Sequence, residues 1–123
     1  LDNNNQYIEI PGMFGNPADV TLAAWVNVNS GTFADEVISL GDSVTLRSTD
    51  GANGLRFIIR GNSTWQTVNT GINISDAGWT HVAATVNDTT GDISIYINGE
   101  LVANSWDGVV RAKWTFFCFP NRD

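Results

Sequence analysis

The feature that most constrains the fold of this chain is a hydrophobic pattern with a period of two residues. Apolar residues alternate with polar or small ones in several short segments. Alternation over about four to eight residues is typical of β-strands that bury one face. The apolar positions of the pattern are Ile8 and Ile10; Val20, Leu22, Ala24, Val26 and Val28; Leu55, Phe57 and Ile59; Val82, Ala84 and Val86; and Ile93, Ile95 and Ile97.

Turn-forming residues separate these segments. Asn98-Gly99 lies between two apolar runs, and Thr89-Thr90-Gly91 precedes the first of them. Asn-Gly is the strongest short hairpin signal, because both central residues of its turn need a positive φ. With no amphipathic helix in evidence, the pattern predicts an all-β protein with roughly eight to ten short strands in a two-sheet antiparallel sandwich.

Length and charge limit the organisation and the partners. A chain of 123 residues fits one domain with its own core, so we predict a single domain over residues 1–123. The net charge of −7 disfavours nucleic acid and leaves cations, neutral glycans and basic proteins as partner classes. No apolar run approaches the roughly 20 residues of a membrane span. The single cysteine, Cys118, excludes an intrachain disulfide.

Several motifs resemble those of laminin-G-like and pentraxin-like domains. These motifs are residues 7–11 (YIEIP), 20–26 (VTLAAWV), 37–42 (VISLGD), 79–86 (WTHVAATV) and 95–102 (IYINGELV). Their order and spacing are similar to the family's over about residues 1–105. The resemblance implies a jelly-roll sandwich of the concanavalin A-like lectin/glucanase type. That fold hosts lectins, adhesion modules, glucanases and structural modules, so it does not by itself name a function.

The sequence departs from the pentraxin pattern in two places. Pentraxins have a disulfide between two long strands, and the matching positions here are Ala23 and Ala83. The resemblance therefore predicts that these two strands are neighbours without a bridge. The family's closing strands are replaced by an apolar segment from Trp114 to Phe119. Either this segment substitutes for one missing strand, or a second copy or neighbouring domain completes the sheet through it. We expect the domain to be part of a larger chain.

Catalytic residues are not arranged for hydrolysis. A glycoside hydrolase needs two carboxyl groups about 5–9 Å apart. The glutamates, Glu9, Glu36 and Glu100, do not pair on any predicted strand. The single histidine, His81, lacks Ser/His/Asp spacing, and we interpret it as a structural hydrogen bonder. The prediction is a non-catalytic domain, with a fragment of a glycan-active enzyme as the least favoured alternative.

Trp65, Thr67 and Asn69 form the candidate carbohydrate-binding site. They share one strand face if Val68 faces the core, and an aromatic ring beside hydroxyl and amide groups suits a sugar. The alternative is that Trp65 covers a sheet edge or loop. A second aromatic group lies on the faces opposite the aliphatic stripes, where it either lines a groove or packs; its members are Trp25, Trp79, His81 and Tyr96.

The resemblance also implies a metal. Asp42 is similar in position to a calcium-binding Asp of pentraxins, with Ser43 in place of the following Asn. Ca²⁺ is therefore the candidate cofactor, since it prefers oxygen ligands. The predicted function is a carbohydrate-binding or adhesion module of a secreted or surface-displayed protein, with a glycan or surface protein as partner. The alternative is a structural or assembly module of a filament, capsid or appendage without a glycan ligand.

Overall fold

The computed structural model describes residues 8–11, 19–30, 35–40, 44–49, 51–61, 64–87 and 89–106. All the regular secondary structure in these ranges is β-strand. The strands are β1 (Val20–Val26), β2 (Asp35–Leu40), β3 (Val44–Ser48), β4 (Arg56–Gly61), β5 (Thr64–Asn69), β6 (Thr80–Asn87), β7 (Asp92–Ile97) and β8 (Glu100–Trp106).

The strands form two four-stranded sheets. Sheet I has the order β1-β6-β7-β8, and sheet II has the order β2-β3-β4-β5. Every neighbouring pair is antiparallel. The edge strands β1 and β2 contact each other at one side, and β5 and β8 do so at the other, so the sheets stack face to face. The predicted all-β, two-sheet antiparallel jelly-roll sandwich is confirmed.

The alternating apolar residues fill the space between the sheets. Sheet I contributes Val20, Leu22, Val82, Ala84, Val86, Ile93 and Ile95, and sheet II contributes Val44, Leu46, Phe57, Ile59 and Val68. Phe57 and Leu46 are among the largest fully buried side chains. Burying one such side chain stabilises the fold by about 1.5–3 kcal/mol. The stripes therefore fix which face of each strand points inward, and the intervening residues form the two outer faces.

The pairing of β1 with β6 agrees with the resemblance. Ala23 is the direct partner of Ala83, and Trp25 is the partner of His81. Small side chains at both positions fit the neighbouring, unbridged strands that the resemblance predicted. The prediction that these two strands are neighbours is confirmed.

The β7–β8 hairpin turns at Asn98-Gly99, as predicted. Asn98 has a φ of 50° and Gly99 a φ of 81°, which is the positive pair that this turn requires. Asn98 also fixes the neighbouring strand: its backbone N–H donates to the His81 carbonyl at 2.8 Å. Its side-chain Oδ1 accepts from the His81 backbone N–H at 2.9 Å. The turn therefore holds the start of β6 as well as joining two strands.

Two predicted strand segments need correction. Residues 8–10 form no strand, and Ile8 and Ile10 are exposed. A period of two is not sufficient for a strand, because the backbone also needs a partner, and no described strand pairs with this segment. The strand predicted to reach Val28 ends at Val26, and Val28 forms an isolated parallel bridge with Ser75. The segment from Trp114 to Phe119 lies outside the described residues, so its role stays a prediction.

Candidate functional site

The outer face of β5 presents the three residues of the predicted sugar site. Trp65, Thr67 and Asn69 are exposed, and Trp65 leaves 56% of its surface accessible. Val68 between them is buried in the core. The condition for a shared exposed face is therefore met. Among the described strands, β5 is the outermost strand of sheet II.

The strand register extends this face across sheet II. Arg56 is opposite Asn69 and Ile58 is opposite Thr67, while Arg60 is the register partner of Trp65. We define two rows that cross all four strands on the outer face. The arginine row is Glu36, Arg47, Arg56 and Asn69, and the hydroxyl row is Ser39, Thr45, Ile58 and Thr67.

In the arginine row, described carboxylates pair with one of the two cations and not with the other. Arg47 Nη2 donates to Glu36 Oε1 at 2.9 Å, in a pair that is partly exposed. Within the described ranges, no carboxylate forms an ion pair with Arg56, which lies directly opposite Arg47. The Nε atoms of both arginines are buried without a hydrogen-bond partner. This row was missed by sequence reasoning, because the register that aligns its members was not known.

The hydroxyl row contains a buried polar atom. Thr45 is only 6% exposed, although alternation with Val44 and Leu46 places it on the outer face. Its Oγ1 is buried and has no hydrogen-bond partner among the described residues. Thr45 is the register partner of Ser39 and of Ile58, so it lies at the centre of the face. The outer face of sheet II is thus polar and partly buried around Thr45 and the two arginines.

The outer face of sheet I has a different chemistry. Trp25 and Trp79 are 65% and 70% exposed, and Tyr96 and His81 are partly buried. The rings of Trp25 and His81 are 5.3 Å apart at 64°, an edge-to-face contact. We call the surface formed by Trp25, Trp79, His81 and Tyr96 the aromatic face. Leu101, which is 51% exposed, also lies on it, because a register shift in β7–β8 places Leu101 opposite Tyr96. The four strands of sheet I contain no Lys or Arg.

The remaining predicted groups do not assemble into a metal or catalytic site in the part of the chain that the structure describes. Asp42 lies outside that part, so a calcium site there stays a prediction. No cluster of three or more His, Cys, Asp or Glu suited to a metal occurs among the described residues. Glu36 pairs with Arg47 in sheet II, whereas Glu100 starts β8 in sheet I. The described elements also include no helix that could cross a membrane.

Two antiparallel four-stranded sheets stacked face to face are the architecture of a jelly-roll sandwich domain. The family model that matches residues 2–118 is described as the concanavalin A-like lectin/glucanases superfamily, laminin G type. The chain belongs to this family, and the resemblance seen in the sequence is confirmed. Membership favours a carbohydrate-binding or adhesion-type module. No curated protein matches the sequence.

Proposed function

We propose that this domain is a non-catalytic carbohydrate-binding or adhesion module of a secreted or surface-displayed protein. The glycan lies on the outer face of sheet II, over β5. The observation that supports it most is that Trp65, Thr67 and Asn69 share the exposed face of one strand while Val68 is buried. Family membership supports the same class of function. A calcium ion at Asp42 and an extracellular location belong to the same proposal.

The three side chains match the chemistry of a sugar. One face of a pyranose ring is apolar and stacks on an indole, while its hydroxyl groups need hydrogen-bond partners at the ring edge. Trp65 supplies the apolar surface, and the Thr67 hydroxyl and Asn69 amide supply donors and acceptors two and four residues along the strand. Strand geometry spaces Trp65 and Asn69 about 13 Å apart. That length suits an oligosaccharide rather than a single sugar.

The test compares two exposed tryptophans on opposite outer faces. In Trp65→Ala, we expect retention on a glycan array or an insoluble polysaccharide to fall about tenfold or more. The melting temperature should change little, because the side chain is mostly exposed. Trp25→Ala is the matched control, since Trp25 is similarly exposed but lies in sheet I. It should retain glycans as the wild type does.

Two results would contradict this assignment. If Trp65→Ala loses about 3–5 kcal/mol of unfolding free energy, as a core tryptophan would, then Trp65 is a packing residue. If Trp25→Ala abolishes retention and Trp65→Ala does not, then the site lies on sheet I.

A structural or assembly module is the second candidate, favoured by the aromatic face of sheet I. Trp25, Trp79 and Leu101 expose large apolar surfaces on one side of the sandwich. Exposed apolar patches mark sites of protein association. This function predicts that the domain self-associates or binds a neighbour, either through that face or through the segment from Trp114 to Phe119. Light scattering of the full chain distinguishes the candidates: a monomer that binds glycans supports the first.

A further inference from the structure

The basic residues that the structure describes lie on one sheet of this acidic protein. The chain has 13 acidic and 6 basic residues. Those basic residues that fall in the described ranges are Arg47, Arg56 and Arg60, on the adjacent strands β3 and β4 of sheet II. The strands of sheet I contain none. A net charge of −7 therefore conceals a local positive face, and that face lies beside the proposed glycan site.

The arginine row has an excess positive charge that the described residues do not neutralise. Arg47 and Arg56 are direct partners across β3 and β4, and like charges in that relation repel each other. Glu36 pairs with Arg47 at 2.9 Å. No carboxylate of the described residues pairs with Arg56. Arg56 is thus the position where an external anion would relieve repulsion.

Buried polar atoms on the same face provide a second observation. Thr45 Oγ1, Arg47 Nε and Arg56 Nε are all buried and lack hydrogen-bond partners among the described residues. Buried polar atoms in folded proteins are nearly always hydrogen-bonded. A guanidinium nitrogen can only donate, and a hydroxyl can donate as well. All three atoms can donate, so the same kind of group, a strong acceptor such as a carboxylate oxygen, would suit each of them.

We propose that the outer face of sheet II binds an acidic oligosaccharide with isolated carboxylates, of the uronic or sialic acid type. Arg56, opposite Asn69, holds the carboxylate, and a more distant sugar ring of the same oligosaccharide stacks on Trp65, about 13 Å along the strands. This inference rests on the proposed function and names the ligand class of that site. Arg–carboxylate contacts are charge-assisted and often bidentate, which makes Arg56 the residue that selects for acidic over neutral sugars.

The net charge of the domain indicates whether its ligand is sparsely or densely charged. A polysulfated chain extends far beyond the arginine row and meets the field of a domain with net charge −7. A single carboxylate interacts with Arg56 at contact distance. Charges more than about 8 Å away are largely screened at physiological ionic strength. The ligand is therefore a sparsely charged glycan rather than a polyanion.

The experiment measures binding to matched acidic and neutral glycans. An array presents uronate- and sialate-containing oligosaccharides, each beside its carboxyl-reduced counterpart, together with a polysulfated polysaccharide. We expect wild-type protein to bind at least one acidic oligosaccharide about tenfold or more tightly than its reduced form, the range for a charge-assisted hydrogen bond. Arg56→Gln should bring the two affinities within about twofold of each other.

A second variant tests the role of the ion pair. Glu36→Gln removes the carboxylate that neutralises Arg47, so the face becomes more positive. We expect it to strengthen binding of the acidic oligosaccharide by a few-fold and to leave the reduced form unchanged. Weaker binding of the acidic form in Glu36→Gln would contradict the electrostatic argument.

Folding is checked by the melting temperature, which Arg56→Gln should not lower because it removes the repulsion of Arg47. If Arg56→Gln fails to fold, Arg56→Lys replaces it. That variant keeps the charge but loses the bidentate fork, so it should lose part of the preference for acidic over reduced glycans.

Equal binding of acidic and reduced glycans overturns this inference and leaves the proposed function intact. No glycan binding at all overturns both. Tightest binding of the polysulfated chain overturns the carboxylate assignment.

Discussion

The two outer faces of this sandwich differ although the two inner faces are alike. Both sheets bury aliphatic stripes with the same period. Outside, sheet I displays Trp25 and Trp79 without a basic residue, whereas sheet II displays Arg47 and Arg56 beside Trp65. The inward positions are constrained by packing, and the outward positions are free to differ. The contrast indicates that the two outer faces present different chemistry to a partner, through the residues between the stripes.

The largest expected effect is on the free energy of unfolding, and it differs between two glycine substitutions, one at a turn of each sheet. Gly54 precedes β4 in sheet II with a φ of 60°, and a Cβ there would collide with the backbone of Ile72. Gly99 closes the β7–β8 turn of sheet I with a φ of 81°, but a Cβ there would meet nothing within 4 Å. Gly54→Ala should therefore lose about 2–5 kcal/mol of unfolding free energy, from backbone strain plus overpacking. Gly99→Ala should lose about 1–2 kcal/mol from strain alone.

Chemical denaturation of both variants checks this prediction. The loop at Gly54 is anchored where the Leu55 N–H donates to the Ile72 carbonyl at 2.8 Å and the Thr70 N–H donates to the Leu55 carbonyl at 2.9 Å. These bonds lie next to the Arg56–Asn69 pair of the arginine row. Gly54→Ala should thus also weaken glycan binding, whereas Gly99→Ala should not. Equal losses of stability in the two variants would mean that Ile72 is not packed against Gly54 in solution.

The sequence was sufficient to predict the fold, because the inward stripes are local signals. Phe57 and Ile59 lie inside, as their alternation predicted, and Asn98-Gly99 forms the predicted turn. Alternation also placed Trp65, Thr67 and Asn69 on one face, exposed on the condition that Val68 faces the core, and Val68 is buried. Residues 8–10 show the limit of this signal, since alternation does not tell whether a partner strand exists.

The arrangement across strands could not be predicted from the sequence. It depends on register, and two irregularities set the register: one between Glu36 and Ile38, the other between Ile95 and Tyr96. Neither position has a glycine that would signal a bulge. The first aligns Glu36 with Arg47, and the second brings Leu101 to the aromatic face. Which distant residues lie opposite each other is therefore set by the strand register, and no local sequence motif predicts it.

A smaller effect is expected from the central hydroxyl of sheet II. Thr45→Val replaces the buried, unpartnered Oγ1 with a methyl group of similar size. Leaving a buried polar group unsatisfied costs about 1–3 kcal/mol, so the variant should gain about 1 kcal/mol of unfolding free energy. Thr85→Val is the control on the outer face of sheet I, where the side chain is partly exposed, and should change stability by no more than about 0.5 kcal/mol. A clear loss of stability in Thr45→Val would show that the hydroxyl has a partner in the free protein.

The smallest expected effect is on the pH dependence of stability, and it arises from Asp76 near one end of sheet I. Asp76, which has a φ of 58°, accepts a hydrogen bond from the Ser30 N–H at 3.0 Å. This contact joins the segment after β1 to the segment before β6. Hydrogen bonds from the Ser30 side chain and backbone lower the pKa of Asp76 below its usual value, because they favour the ionised carboxylate.

A lowered pKa in the folded state means that the ionised form stabilises folding. That contribution is fully present above the ordinary pKa of an Asp, about 4, and is lost as the pH falls through the lowered value. Asp76→Asn removes the charge but keeps an acceptor oxygen and tolerates the positive φ. We expect the wild type to melt slightly higher than the variant at pH 7, and the difference to shrink as the pH falls below about 4. Ser30→Ala, which removes only the side-chain donor, should give an intermediate curve. Melting curves for wild type and Asp76→Asn that stay equally separated down to pH 2 would show that Asp76 titrates alike in the folded and unfolded chain.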